Sequence, residues 1–232
     1  MLLWQTFWSN EGLGCNIHYR QRLPLFAVSC LHVPNLKLQD QQQHQNLNAT
    51  PFRLTFRHRA SLKALKMVYY SYFHSIMSYG IIFWGTSPFS NNIFWIQKRI
   101  LRIITNSLKY ESCRQLYKEQ QILTMYGQYI YSLLMFVIKS KEIFSPNSDI
   151  HDKNTRYNLN LHFPSTNLKL VQRGVFYSGV KIFNHLPTSI KCHFRETKCF
   201  KNKLRRFLME YSLYSIDEYF KINPNETYFT NT

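Results

Sequence analysis

From Ser61 onward the apolar residues of this 232-residue chain fall at spacings of three and four, the mark of helices with one buried face. Leu62, Leu65, Tyr69, Tyr72, Phe73, Ile76 and Tyr79 line one side of a first predicted helix. Gly80 and Gly85 weaken its end, and Pro88 rules out simple continuation. A second helix is predicted over about 92–107, with Ile93, Ile96, Ile100, Ile103 and Ile104 inward. A short third, near 112–119, begins at Ser112, whose hydroxyl suits an N-cap. A fourth covers about 123–143 and carries Leu123, Tyr126, Ile130, Leu133, Leu134 and Val137 as its stripe.

The pattern then breaks at Ser145-Pro146-Asn147-Ser148-Asp149. Residues 155–175 read as β-like or irregular, punctuated by Pro164 and Gly174. A short helix is predicted over Gly179–Leu186, stopped by Pro187, and a longer one over Thr197–Leu213. The latter has Phe200, Leu204, Phe207, Leu208 and Tyr211 on its apolar side. Residues 1–60 behave differently. Gly12, Gly14, Pro24, Pro34 and Pro51 interrupt them, and Gln39–Asn48 is a polar low-complexity run, so loop or disorder is expected, with at most a short strand at Leu25–Ser29. The expected class is mainly α. A helical bundle over 61–144 is followed by a linker over 145–154 and a smaller α-rich unit over 155–220 with irregular or short β segments. Residues 1–60 and 221–232 are expected to be disordered.

Composition adds a partner. The chain is 45% hydrophobic and 16% aromatic, enough for a core, yet its formal charge is +17. The excess is concentrated: residues 61–144 hold 10 basic and 3 acidic side chains, and residues 145–211 hold 12 and 4. A polyanion, nucleic acid before membrane, is the natural partner; a basic solubilising surface is the plainer alternative. Lys98 and Arg102 are four apart and share a helix face, with Arg99 beside them. Lys198, Lys201 and Arg205 make a second row, flanked by Lys203 and Arg206. Such rows meet backbone phosphates, and affinity then comes from counterion release. Exposed tyrosines would add stacking on unpaired bases, although the cluster Tyr69-Tyr70-Tyr72-Phe73 reads as core.

Other chemistry is sparse. Cys15, Cys30, Cys113, Cys192 and Cys199 are odd in number and scattered. Cys192-His193 with Cys199 lacks the second close pair that tetrahedral zinc uses, so reduced thiols are expected. His74 and His185 read as satisfied helix or surface histidines. No Walker A loop, GxSxG or HExxH occurs. No segment reaches the roughly 18–20 apolar residues needed to span a bilayer, and a cytoplasmic or nuclear chain, not secreted, is expected.

Several short motifs stand in a fixed order. Tyr79-Gly80 precedes Trp84-Gly85, and Gln97-Lys98-Arg99-Ile100-Leu101-Arg102 follows. Next come His151-Asp152-Lys153-Asn154-Thr155-Arg156 and Tyr177-Ser178-Gly179-Val180-Lys181-Ile182-Phe183-Asn184-His185-Leu186-Pro187. Phe200-Lys201-Asn202-Lys203-Leu204 and Tyr214-Ser215-Ile216-Asp217-Glu218-Tyr219-Phe220 complete the series. In order and spacing they resemble the region just after the polymerase palm, thumb and tail, in reverse transcriptases of jockey-type non-LTR retrotransposons. The resemblance covers about residues 61–220.

That resemblance implies descent from an RNA-directed DNA polymerase and, in the parent, a grip on the template RNA–primer duplex. It implies RNA or an RNA/DNA duplex as partner, and the polymerase core as another. The parent's two catalytic Mg²⁺ ions sit on paired palm aspartates; this chain has no Asp-Asp pair, and its acidic residues upstream of the linker are isolated. The endonuclease, fingers and palm are missing, as is the Tyr-Leu-Gly pattern that precedes the thumb-like helices, and residues 1–60 do not resemble the family. The expectation is therefore a truncated fragment, not an enzyme as it stands, with no cofactor and at most residual nucleic-acid binding. Lys98, Arg99, Arg102, Arg156, Lys181, Lys201, Arg205 and Arg206 are the expected contacts. A helical protein-interaction module with incidental charge is the alternative.

Overall fold

A computed structural model describes residues 61–108, 110–150, 158–163 and 165–223, all within one compact unit of the chain. The expectations for residues 1–60 and for the tail beyond 223 lie outside the described residues. What is described is mainly α, with no strand and one isolated antiparallel bridge, Pro146 to Leu161.

Helix α1 is continuous but not uniform. It comprises an α-helical Leu62–Val68, a π-helical Tyr69–His74 and an α-helical Ser75–Ser78. Ser61 caps it, its hydroxyl accepting from the Ala64 N–H at 3.3 Å. The π turn changes which side chains are buried. A wider turn keeps residues four apart in line, so Tyr69, Phe73, Met77 and then Ile81 enter the core. Tyr72 (58% exposed) and Tyr79 (74%) do not, contrary to the predicted stripe, and Leu62 is also exposed.

Gly80 ends α1 in the left-handed region (φ 59°) and lets α2, Ile81–Trp84, start in a new direction. The Trp84 indole N–H closes the corner by donating to the Tyr79 carbonyl at 3.0 Å. Gly85 has a different reason to be glycine. A Cβ there would collide with the Tyr129 ring and stand 2.8 Å from the Ile81 carbonyl oxygen.

Helix α3, Ser90–Thr105, buries Ile93, Phe94, Gln97, Leu101 and Ile104. Ile103, predicted inward, is 44% exposed; the true stripe is shifted toward Phe94, Gln97 and Leu101. Helix α4, Cys113–Gln120, starts at the expected Ser112 cap. Helix α5, Met125–Lys139, is capped by Thr124, whose hydroxyl accepts from the Gly127 N–H at 3.0 Å. All six predicted stripe residues of this region are buried. So are Met125, Gly127, Gln128, Tyr129 and Ile138, and a helix buried nearly all round belongs at the centre of its fold.

That centre is shared by both sides of the 145–154 segment. Helix α6, Asn147–Ile150, and α7, Lys169–Gln172, are single turns. Helix α8, Val175–Asn184, packs on α5 so closely that a Cβ on Gly179 would approach Val137 Cγ2 to 2.8 Å. Helix α9, Thr188–Lys191, leads into α10, Thr197–Tyr211, which also packs on α5 through Phe200, Leu204, Phe207 and Leu208. Helix α11, Ile216–Lys221, starts at Ser215, whose hydroxyl accepts from the Glu218 N–H at 3.1 Å. It is locked by Tyr219, which is fully buried and donates to the Ile182 carbonyl at 2.8 Å. One contiguous apolar core thus runs from Tyr69 to Tyr219.

Candidate nucleic-acid interface

The motif residues meet mainly as fold determinants. Gln97, the first residue of the QKRILR motif, is completely buried. Its amide nitrogen donates to the Tyr69 hydroxyl at 2.8 Å and to the Leu123 carbonyl at 2.9 Å. Its amide oxygen accepts from the Tyr117 hydroxyl at 3.1 Å and the Met125 N–H at 2.7 Å. Every hydrogen-bonding site of the side chain is used, and α1, α3, α4 and the start of α5 are pinned together. Asn184 clamps Leu161 from both sides: it accepts from the Leu161 N–H at 2.8 Å and donates to the Leu161 carbonyl at 2.9 Å.

Lys98 and Arg102 share a face of α3, as their spacing requires, but neither projects freely. Lys98 Nζ lies 4.6 Å from the centroid of the Phe94 ring and 5.5 Å from that of Tyr214. Arg102 Nη2 donates to the Glu111 carbonyl at 3.1 Å, while its Nε–H is buried without an acceptor among the described residues. Arg99 is exposed. The structure adds a cation that sequence reasoning missed. Arg114, from α4, stacks with its guanidinium carbon 4.5 Å from the Tyr214 ring centroid and pairs with Glu218 at 2.7 Å. Glu218 also accepts from the Tyr214 N–H at 2.6 Å. Burial works against its charge, but the Tyr214 N–H and Arg114 bonds outweigh it and hold the carboxyl below the usual range. Burial pushes the neighbouring Cys113 thiol up, so it stays protonated, and does the same to the Tyr214 phenol.

The second row is open. Lys198, Lys201, Arg205 and Arg206 are all exposed on α10. Arg205 is close enough to Tyr70 and His74 of the π turn, and to Tyr131 of α5, to act on their titration. Tyr70 and Tyr131 keep part of their rings accessible. Half of the tyrosine cluster therefore is surface: Tyr69 and Phe73 are core, whereas Tyr70 and Tyr72 are exposed. Burial lowers the His74 pKa, and the Arg205 charge lowers it further against the Gln128 hydrogen bond, so the ring is neutral near pH 7. Lys203 is drawn away from the row, its Nζ donating to His193 Nε2 at 3.2 Å. Lys181 is exposed and lies 4.9 Å from the Phe220 ring centroid. Arg156 lies outside the described residues, as do His151 and Thr155.

His185 is satisfied at Nε2 by the Ile222 carbonyl at 3.0 Å and packs edge-on against Tyr219 and Phe220. Lys191 has no distinguishing signal in the sequence, yet it is buried. Its ammonium donates to the Asn184 carbonyl at 2.6 Å and to Asn160 Oδ1 at 2.9 Å, and burial lowers its pKa to about 8. Among the described residues Cys113, Cys192 and Cys199 are free thiols, and no group of three or more His, Cys, Asp or Glu is placed to hold a metal. No single described helix is long and apolar enough to cross a membrane; α4 and α5 together have the length and composition but are bent by 48°.

Comparison of the chain with protein-family models, with curated proteins and with solved structures finds no match in any of the three.

Proposed function

We propose that the chain is a nucleic-acid-binding helical module derived from the post-palm region of a jockey-type reverse transcriptase. The observation that carries this reading is the placing of cations beside tyrosine rings at two places, half-buried at Tyr214 and more open at Tyr70. Lys98, Arg102 and Arg114 surround Tyr214, and Arg205 stands near Tyr70 and Tyr131. Cations beside aromatic faces are what a strand with phosphates and unpaired bases engages. The descent is supported by the motif residues. Gly80, Gly85, Gln97, Gly179, Asn184, Phe200, Leu204, Ser215 and Tyr219 sit where this fold needs them, as expected of a motif set inherited with a fold. Polymerisation by these 232 residues is not expected, because two-metal chemistry needs paired carboxylates and no adjacent Asp pair occurs.

A second reading, a protein-interaction module, is favoured by one patch. Met67, Val68, Tyr72, Tyr79 and Phe83 are all exposed along α1 and α2. A polymerase core and an unrelated host protein are both compatible with such a surface. Binding of the full chain to single-stranded RNA and to an RNA/DNA duplex, measured across a range of salt, separates the two readings. The nucleic-acid module loses affinity steeply and log-linearly with salt; absence of salt-sensitive binding to either ligand overturns it and leaves the protein-interaction reading.

A further inference from the structure

The outer face of α3 carries side chains that the core does not use. Trp95, Arg99 and Ile103 stand four apart on that helix, and all three are exposed, Trp95 to 62%. Side chains four apart on a helix are neighbours, with Cβ atoms roughly 5–6 Å apart. The Trp95 indole and the Arg99 guanidinium therefore stand side by side on the surface. Arg102, three residues beyond Arg99, is half-buried and continues the row. An open tryptophan goes against the rule for this side chain, which has the most apolar surface to lose to water. Trp84 follows the rule: it packs against the core and its N–H donates to the Tyr79 carbonyl. Trp95 lies outside that core.

Charge narrows what meets this face. Residues 61–110, the stretch that contains α1, α2 and α3, hold six Lys or Arg and no Asp or Glu. No acidic side chain of these helices opposes an anion. A flat aromatic ring beside a cation matches the two parts of a nucleotide, the base and its phosphate. A duplex offers only the phosphate, because its bases are already stacked on one another. Resting on the nucleic-acid reading, we infer that Trp95 and Arg99 form a contact for single-stranded nucleic acid, one unpaired base stacking on the indole and the adjoining phosphate pairing with the guanidinium. The contact sets the form of the ligand, a single strand in preference to a duplex. It is tolerant of sequence, since every base has a face to stack.

The test measures the affinity of the full chain for three ligands of equal length: a single-stranded RNA, the same strand with its bases removed, and an RNA duplex. Trp95→Leu keeps an apolar side chain of good helix propensity at an exposed position, and unchanged helical circular dichroism shows that the variant is folded. It is expected to weaken binding of the single strand at least about fivefold, the lower end for one base stacked on an aromatic ring. The salt slope, and the affinities for the abasic strand and the duplex, are expected to stay those of the parent. Trp95→Phe, which keeps a ring, is expected to bind the single strand more tightly than Trp95→Leu. Arg99→Gln is expected to flatten the single-strand salt slope by roughly 0.7. Single-strand affinity of Trp95→Leu equal to the parent's overturns the contact and leaves the nucleic-acid reading standing. An equal loss for all three ligands overturns it too, since the indole then acts through the fold and not by stacking. Loss of binding to anionic lipid vesicles in Trp95→Leu, with RNA affinity kept, assigns the face to a membrane surface and overturns the contact. Absence of salt-sensitive binding of the parent chain to any of the three ligands overturns the nucleic-acid reading and the contact with it.

Discussion

Gln97 shows how far a single residue departs from its local pattern. Between Ile96 and Lys98 it reads as one more polar position of a basic helix face, yet it is the most completely bonded polar side chain described. What buries it arrives from Tyr69, Tyr117 and the Leu123–Met125 turn, and no local spacing encodes those partners. Replacing it with Met keeps the volume and strands two hydroxyls, an N–H and a carbonyl. Gln97→Met is expected to lower stability by about 3 kcal/mol or more, read as a drop in the urea midpoint; a change under about 1 kcal/mol contradicts the hub. Lys191 gives a pH signature. Its folded pKa, about 8, lies below the ordinary value of 10.5, so between these values the unfolded chain binds more protons and stability rises with pH. The cost of burying the charge is present in full below pH 8. Lys191→Met removes it. The stability of the parent relative to Lys191→Met is therefore expected to increase from about pH 7 to about pH 9.5; a flat difference means that the ammonium is not the group titrating.

At the scale of elements, the helices are largely legible in the sequence because most carry an unambiguous stripe and a good cap. The predicted starts at Ser112 and Thr197 agree with Cys113–Gln120 and Thr197–Tyr211 to within a residue. The π turn is not legible, since a 3.6-residue template accepts Tyr69, Tyr72, Phe73 and Ile76 as readily as the observed Tyr69, Phe73 and Met77. The strict spacing of four from Tyr69 to Ile81 is the available signal. Helix α11 is absent from the sequence reading, though Ser215 and Glu218 stand at capping spacing. The glycines of the first corner separate two physical demands. Gly80→Ala meets open space, Phe83 Cδ2 being 3.9 Å away, and suffers only from its positive φ, about 1–2 kcal/mol. Gly85→Ala drives a methyl into Tyr129 and the Ile81 carbonyl, and is expected to cost more, about 2–3 kcal/mol. Thermal melts that reverse this order would contradict the packing of α2 on α5.

For the whole molecule, the charge and the spacing of the basic rows are legible, but their surroundings are not. Spacing puts Lys98 and Arg102 on one face; only the fold brings Arg114 and Tyr214 to them and Arg205 to the π turn. The exposed apolar side chains of α1 and α2 carry a consequence for the chain alone. Exposed apolar side chains gathered on two successive helices promote association. Sedimentation of the full chain is expected to show concentration-dependent self-association that Val68→Lys with Phe83→Lys disperses; a monomer at all concentrations argues that the patch is covered within the chain.

The most direct test of nucleic-acid binding compares two triple substitutions in the full chain. Lys98, Arg99 and Arg102 are changed together to Gln in one variant, and Lys201, Arg205 and Arg206 in the other. Gln keeps helix propensity, and the second row is exposed, so its variant is expected to fold like the parent. Affinity for single-stranded RNA is measured against salt. For every side chain that grips a phosphate, its replacement is expected to flatten the slope of log K against log salt by roughly 0.7, uniformly across RNA sequences. If both triples bind RNA with the affinity and slope of the parent, these residues do not grip phosphate, and nucleic-acid binding through the two basic rows is contradicted.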